Sequence, residues 1–324
     1  MKVLVFTNIY PNSSHPYFGV FVKTQVESLE EYSASDCFEI LAVKTKKAGG
    51  NHYNYLLSFF KLFYHRIFSN FDVIHCHHAF CVFMAKCLFF NKIVYTNHEG
   101  EYFKGGFLEG IKRRAISLSD KVIFVNSDML IQNTKLCKNE PFLIPCAVDQ
   151  RYFINNKSKA DCREVLGLNL SDRIIFFPAN PDRDEKNYKL LIDALEIWDE
   201  SKSGKKPAVV CGGSIEYKNI WVWYKACDVV ISCSKYESDG MIYKESIICN
   251  RFFISPDVGN AKLYSNDGET GYIFNNYEPL TLNKAIVDFF HSSNYDFDKD
   301  KKYELETIDD QASRLLSIYN ELKG

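Results

Sequence analysis

Short apolar runs alternate along the chain with longer segments of helical periodicity, and this alternation constrains the fold more than any other feature. Each run is bounded by Gly, Pro, Asn, Asp or His, as strands usually are. The predicted strands are 3–6, 40–43, 73–76, 93–96, 122–125 and 142–144, then 174–177, 208–211, 229–232 and 252–255. Continuous apolar strands separated by helices are typical of a parallel sheet that is covered on both faces.

Segments with the apolar spacing of amphipathic helices lie between the strands. The predicted helices are 18–29, 55–68, 79–89, 108–118, 189–198, 242–249, 280–290 and 308–322. The alternation restarts after the polar stretch 150–159, and 324 residues are enough for two domains. We therefore predict an α/β protein with two Rossmann-like, doubly wound parallel-sheet domains, over 1–155 and 156–305. The C-terminal segment 306–324 should be a helix that could pack on either domain, including back on the first.

The charge balance and the cysteines exclude several classes of protein. The chain has 39 Lys and Arg against 41 Asp and Glu, so no basic excess points to a nucleic-acid partner. The chain has 11 cysteines, an odd number, and none forms a Cys-x-x-Cys pair. Both observations favour buried free thiols in a reducing compartment. The first residues resemble a strand more than a signal peptide, and no run of about 18 apolar residues occurs. We therefore expect a cytoplasmic protein.

The segment 51–71 is unusually aromatic. It carries eight Phe or Tyr residues together with Lys61, His65 and Arg66. The simpler interpretation is a long core helix that buries its aromatic side chains. The alternative is a helix that contacts a membrane surface through mixed aromatic and basic residues, which would make the protein peripheral on the inner face of the membrane.

Ligands of doubly wound sheets bind beyond the carboxyl ends of the strands, so the residues that follow each strand are the candidates for a site. The loop after the first strand ends in Gly19 before a helix, where backbone amides could approach a phosphate. His75 and His77 accompany the third strand, and His98 follows the fourth. No third ligand of matching spacing joins His75 and His77, so we predict no metal site. We interpret His98 as a substrate contact, the alternative being a histidine that hydrogen-bonds its own loop.

The strongest signal is the segment 236–245, Tyr-Glu-Ser-Asp-Gly-Met-Ile-Tyr-Lys-Glu. Glu237 lies before a predicted helix and Glu245 lies within it. Carboxylates placed in this way could accept hydrogen bonds from the paired hydroxyls of a sugar or a ribose. The amides near Gly240 and Met241, at the helix N-terminus, would attract a phosphate. The simpler alternative is that both glutamates are solvated surface residues.

Taken together, the chain resembles the family 4 retaining glycosyltransferases, whose fold is called GT-B, over nearly its whole length. The similar features are the first strand with its glycine loop, an Asp-Val-Ile-His-x-His strand, an Ile-Pro-x-x-Val-Asp linker, a pair of glutamates eight residues apart, and a Gly-rich ending. In order, these lie at 5–11 with 17–22, 72–77, 144–149 with 151–153, 237–245, and 257–259 with 268–272. Five motifs in the family's order are far more specific than any one of them.

The resemblance implies a role for each candidate residue. Glu245 would hold the ribose hydroxyls of the donor nucleotide, Glu237 would contact the transferred sugar, and Gly19 would let the backbone reach the donor diphosphate. His98 would lie near the sugar and the acceptor. Lys186 would neutralise the diphosphate without the help of a metal ion.

The resemblance also implies the reaction. A sugar would move from a UDP- or GDP-sugar to a hydroxyl of a glycan or lipid-linked acceptor, with retention at the anomeric carbon. The two domains would face a cleft, the first on the acceptor side and the second on the donor side. No cofactor is expected beyond the donor substrate. The setting would be assembly of a bacterial surface polysaccharide or glycolipid at the cytoplasmic face of the membrane.

Two departures from the family pattern keep other functions open. The family's usual arginine, five residues before Lys186, is replaced by Pro181, and the nearest arginine is Arg183, which we expect to take over part of its role. Only seven residues separate Cys211 from Asn219, where relatives normally have another strand and helix. The alternatives are a catalytically inactive homologue that binds a sugar nucleotide or a partner protein, and a GT-B enzyme that epimerises or hydrolyses sugar nucleotides.

Overall fold

The computed structural model describes residues 1–16, 18–46, 49–98, 106–292 and 305–324. The chain forms two compact units: Met1–Val148 with Glu306–Gly324, called the first unit, and Asp149–Leu305, called the second unit. The border lies seven residues before the predicted one at 155. Residues 149–155 join the second unit because a short helix, capped by Asp149, begins at Gln150, and its Phe153 is fully buried against the ring of Tyr224.

The first unit is built on a six-stranded parallel sheet. Its strands are β1 (Lys2–Thr7), β2 (Cys37–Ala42), β3 (Val73–Cys76), β4 (Ile93–Asn97), β5 (Lys121–Phe124) and β6 (Phe142–Leu143). In space they follow the order β2-β1-β3-β4-β5-β6, and each neighbouring pair is parallel. The carboxyl ends of the strands therefore meet at one edge, as the alternation of the sequence predicts.

The helices of the first unit include one from the far end of the chain. They are α1 (Val20–Tyr32), α2 (Tyr53–Phe68), α3 (Ala79–Cys87), α4 (Gly106–Leu118), α5 (Ser127–Asn133) and, after the second unit, α14 (Ile308–Lys323). Leu315 and Tyr319 of α14 belong to the same buried core as Val3 and Val94 of the sheet. The C-terminal helix is therefore an integral part of the first unit.

The second unit is built on a five-stranded parallel sheet. Its strands are β7 (Ile174–Phe177), β8 (Ala208–Cys211), β9 (Val229–Ile231), β10 (Phe252–Pro256) and β11 (Gly271–Phe274). Their order is β11-β10-β9-β7-β8, again with parallel neighbours. The prediction of two parallel-sheet α/β domains is confirmed. Strand β11 was not predicted from the sequence because it is short and begins with a glycine, over which the ring of Phe253 packs.

Eight helices surround the second sheet within the described residues. They are α6 (Gln150–Phe153), α7 (Lys159–Val165), α8 (Tyr188–Glu196), α9 (Glu200–Ser203), α10 (Ile220–Ala226), α11 (Met241–Ile248), α12 (Ala261–Ser265) and α13 (Pro279–His291). In the stretch that departs from the family pattern, a single turn of 3-10 helix over Tyr217–Asn219 and then α10 connect β8 to β9. This connection brings two tyrosines toward α11, as described below.

Helix α2 contradicts the expectation of a buried aromatic core helix. Its buried residues are Ser58 and Leu62. Eight large apolar side chains of α2 are exposed and define what we call the α2 face: Tyr53, Leu56, Leu57, Phe60, Phe63, Tyr64, Ile67 and Phe68. The expectation fails because the aromatic side of this amphipathic helix is turned away from the sheet, while the side that carries Ser58 and Leu62 is buried. Among the described residues, no helix combines the length and apolar character needed to cross a membrane.

Candidate active site

The loop after β1 is shaped around a glycine. Gly19 has φ 75°, in the left-handed region, and directly precedes α1. A Cβ at this position would lie 2.5 Å from the backbone carbon of Ile9, so any other residue would force the loop apart. The predicted approach of this backbone to a donor diphosphate stays a prediction, whereas the close contact with Ile9 accounts for the glycine by itself.

A cluster of three histidines lies at the carboxyl ends of the adjacent strands β3 and β4. His77 and His98 are joined through Nδ1 and Nε2 at 3.1 Å, with nearly parallel rings. The rings of His75 and His77 are 4.2 Å apart. Burial lowers the pKa of His75 to about 3 and that of His77 well below its ordinary value. Both imidazoles are therefore neutral near pH 7, and His77 holds one nitrogen of His98 in place.

The predicted substrate residue His98 faces a small pocket of the first unit. The pocket is lined by residues from α1, the strands and α14, including Phe21, Thr96, Cys146 and Gln311. The ring of Phe21 lies 4.8 Å from the His98 ring, and Cys146 Sγ lies 3.8 Å from His98 Nδ1. Phe21 and Cys146 contact the His98 imidazole on two sides. A ring held in this way can position a ligand group in one orientation.

His75 serves a different purpose from His98. Its Nδ1 contacts the hydroxyl of Tyr319 at 2.6 Å, and its Nε2 contacts the hydroxyl of Thr96 at 2.7 Å. Since Tyr319 belongs to α14, His75 links this helix to the sheet. In the part of the chain that the structure describes, no group of three or more His, Cys, Asp or Glu side chains could hold a metal ion. The metal-independent reaction stays a prediction.

The second unit brings together two of the predicted site residues. Lys186 ends a single turn after β7, and Glu237 follows β9, the neighbouring strand. The Lys186 ammonium forms an ion pair with Oε1 of Glu237, which also accepts a hydrogen bond from the Ser234 hydroxyl at 2.8 Å. The backbone N–H of Lys235 donates to the carbonyl of Glu185 at 2.9 Å and ties the two loops together. Lysine and carboxylate thus neutralise each other at the edge of the sheet.

Arg183 lies in the same loop but pairs elsewhere. Its Nε donates to Glu185 Oε1 at 2.9 Å, and its side chain is 45% exposed. This is the ordinary surface pairing that an isolated arginine tends to form. The expected replacement of the family arginine would require Arg183 to leave Glu185, and it stays a prediction.

Glu245 is buried in α11 and held by a tyrosine. The Tyr224 hydroxyl donates to Glu245 Oε2 at 2.5 Å, and Tyr217 lies near the same carboxylate. Burial raises the pKa of Glu245 and raises those of both tyrosines well above their ordinary value. The surface alternative is therefore wrong for Glu245, which is buried and already accepts a hydrogen bond from a hydroxyl group.

The turn into α11 is anchored from beneath. Gly240 has φ 90°, and a Cβ there would lie 2.1 Å from the Tyr243 ring, so the turn requires a glycine. Asp239 is buried and accepts from Lys244 Nζ at 2.5 Å and from Asn260 Nδ2 at 2.5 Å. This buried pair fixes the position at which Met241 begins the helix. The N-terminus of α11 is thus a rigid feature beside Glu237.

Comparisons with known proteins found a family model that matches part of the second unit and solved structures that share the fold of the whole chain. Residues 200–304 match the family model described as Glycosyl transferases group 1. The structure is similar to sucrose-phosphate synthase from Thermosynechococcus elongatus, with 15% identity, a TM-score of 0.72, and coverage of 100% of this chain and 96% of that one. The chain is a glycosyltransferase of the GT-B fold.

Two further proteins are similar to this glycosyltransferase. Anabaena Alr3699/HepE, solved in complex with UDP-glucose, shares 14% identity with a TM-score of 0.67, and 99% of this chain and 98% of that one are covered. A Klebsiella pneumoniae sequence described as an uncharacterized 41.2 kDa protein in the cps region is 22% identical over 270 residues, 72% of this chain and 73% of that protein.

Sequence reasoning missed the residues that support the predicted site of this glycosyltransferase. Tyr217 and Tyr224 were not singled out, although two residues seven apart fall on the same side of a helix, two turns from each other. Asp239 and Asn260 were missed because their contact joins loops that follow different strands. His77 could have been paired with His98, since both follow strands expected to be neighbours.

Proposed function

We propose that this glycosyltransferase moves a sugar from a UDP- or GDP-sugar to an acceptor hydroxyl, with retention at the anomeric carbon. The acceptor is a glycan or a lipid-linked sugar, and the setting is assembly of a bacterial surface polysaccharide or glycolipid. The observation that carries the proposal is the cluster in the second unit. It combines the Lys186–Glu237 pair, the N-terminus of α11, and the buried carboxylate of Glu245.

Each part of this cluster has a task in binding a sugar nucleotide. Glu245 accepts a hydrogen bond from the Tyr224 hydroxyl, and the hydroxyls of a ribose diol are donors of the same kind. Free amides at the N-terminus of α11 favour an anionic group. When a diphosphate enters, Lys186 can turn from Glu237 toward the phosphate oxygens, and the released carboxylate can accept from a sugar hydroxyl.

The developing charge on the departing nucleoside diphosphate is the main chemical demand of the reaction. Lys186 and the α11 amides would stabilise that charge through preorganised hydrogen bonds. In the first unit, the neutral His77 fixes His98, so His98 presents its imidazole in one orientation to the sugar or acceptor. The UDP-glucose complex of the Anabaena neighbour and the cps-region location of the Klebsiella relative support the donor class and the setting.

Thermal-shift measurements with UDP-, GDP- and ADP-sugars test the donor assignment. A sugar nucleotide at a hundred times its Kd should stabilise the folded chain by about 2.7 kcal/mol and raise the melting temperature accordingly. Glu245→Gln should lose this stabilisation. Glu164→Gln, which alters an exposed glutamate on α7, serves as the matched control.

Product analysis by NMR then tests the reaction itself. Transfer to an acceptor with retained anomeric configuration supports the proposal, and an inverted product contradicts the retaining mechanism. Consumption of the donor without an acceptor would favour the epimerase or hydrolase alternative. Tight donor binding with neither transfer nor consumption, across glycan and lipid-linked acceptors, would favour the inactive homologue.

A further inference from the structure

The α2 face is one continuous apolar surface. At 3.6 residues per turn, its eight side chains fall within an arc of about 140° around the helix. They are strongly exposed, with Tyr53 at 76% and Phe68 at 69%. Folded proteins rarely leave so large an apolar group uncovered unless a partner covers it.

Within the described residues, the contacts that attach helix α2 to the first unit lie along its opposite side. Leu62 is fully buried there, and the Tyr55 hydroxyl accepts a hydrogen bond from Asn8 at 2.8 Å. At the C-terminal end of the helix, Arg66 Nε donates to the carbonyl of Leu88 at 3.2 Å. These contacts fix the orientation of the helix, so the α2 face is held outward by the rest of the unit.

The charged residues of the chain segment that carries the α2 face have one sign, and Glu39, just before this segment, lies 3.6 Å from His65 of α2. Residues 40–71 contain five Lys or Arg and no Asp or Glu, although the whole chain has a net charge of −2. Lys61 lies next to the edge of the apolar arc and is exposed, and Arg66 lies beyond the other edge. Lys44 and Lys46 are exposed in the loop that leads to the helix. An apolar stripe bordered by cations matches the acyl region and the anionic headgroups of a bilayer.

A second copy of the chain fits this face less well. In a symmetric dimer the same surface meets itself, so Lys61 and the neighbouring lysines of two copies would be brought together without acidic partners on α2. We propose that the α2 face docks this protein on the surface of an anionic lipid bilayer. The aromatic and aliphatic side chains enter the headgroup boundary, and Lys61 extends along it to the lipid phosphates.

Vesicle sedimentation of the full chain, without any sugar nucleotide, tests this docking. We expect binding to vesicles of equal parts phosphatidylcholine and phosphatidylglycerol, little binding to phosphatidylcholine alone, and release at high salt. Phe60→Ser with Tyr64→Ser, in the middle of the arc, should lower the partition coefficient at least about tenfold. The matched control is Val165→Ser with Leu263→Ser, two comparably exposed side chains of the second unit.

Charge reversal provides a second variant that leaves the apolar face intact. Lys61→Glu should weaken binding to the anionic vesicles by about fivefold or more, whereas Lys262→Glu, on α12, should not. Equal binding to neutral and anionic vesicles, or none to either, would overturn the proposal. So would a wild-type dimer that becomes monomeric in the Phe60→Ser, Tyr64→Ser variant, because a second copy would then cover the face. Since no donor is present, none of these results bears on sugar transfer.

Discussion

Removal of the charge on Glu237 should separate nucleotide binding from turnover. Lys186 and Glu237 form an ion pair with side chains only 12% and 15% exposed, so the diphosphate of a donor must compete with a partly buried carboxylate for the lysine. In Glu237→Gln the amide oxygen can still accept a hydrogen bond, but the competing charge is gone. We therefore expect UDP to bind more tightly to the variant, while kcat/KM for transfer falls because the proposed sugar contact is weakened.

The magnitude follows from the electrostatics of the pair. Two unit charges at about 4 Å attract by about 4 kcal/mol at an effective dielectric constant near 20. Much of this is offset because the amide keeps one hydrogen bond and the diphosphate must lose water. A net gain of about 1–2 kcal/mol remains, which corresponds to a Kd for UDP roughly five- to thirtyfold lower.

Isothermal titration calorimetry with UDP at one fixed ionic strength measures the effect. Asp193→Asn is the matched control, because it removes a carboxylate of the same unit from an ion pair with the largely exposed Lys189. Its Kd should equal that of the wild type within about twofold. An unchanged or higher Kd for Glu237→Gln would refute the idea that Lys186 exchanges the carboxylate for the diphosphate.

Four further outcomes are expected. Lys244→Met should lower the free energy of unfolding by about 3–5 kcal/mol in urea titrations, because Asp239 would be left as an unpaired buried charge, and the Asp239→Asn, Lys244→Met double variant should recover part of this loss. Lys186→Ala should lower kcat/KM roughly ten- to a hundredfold. An equal effect of Arg183→Ala would show that Arg183 leaves Glu185 for the substrate. If Arg183→Ala has no effect on kcat/KM, Arg183 is only a surface charge. Folding raises the pKa of Glu245 above its ordinary value of 4.5, so the folded state favours the protonated form. The free energy of unfolding of the wild type, relative to that of Glu245→Gln, should therefore be greatest below pH 4.5 and fall as the pH rises through the folded pKa. A difference that does not depend on pH would contradict this. Turnover should survive EDTA, and a loss that Mn²⁺ or Mg²⁺ restores would overturn the metal-independent mechanism.

The parallel sheets could be predicted because their strands are continuous apolar runs. Strands such as 73–76 and 174–177 are buried on both faces, so most of their residues are apolar. Helices α7 and α10 were missed because seven residues are too few to display a helical period. Their stability comes from tertiary packing, which the local sequence does not show.

The sequence predicted individual residues of the candidate site but not the contacts that surround them. The motif around Glu237 and Glu245 identified two carboxylates, but their surroundings differ: one is paired with a lysine and the other is buried under tyrosines. That difference arises from contacts between segments far apart in the chain. The orientation of α2 was not predicted because the apolar side of an amphipathic helix ordinarily packs on the sheet, whereas here it is exposed.

The position of α14 in the first unit has a consequence for biosynthesis. The core around Val3 and Val94 needs Leu315 and Tyr319, which leave the ribosome only after all of the second unit has been made. The second unit, contiguous in sequence, can complete its own core first, although domains usually fold in the order in which they are synthesised. The sheet face that α14 covers therefore stays exposed in the nascent first unit until α14 has been synthesised. During this time chaperones and proteases can reach that face.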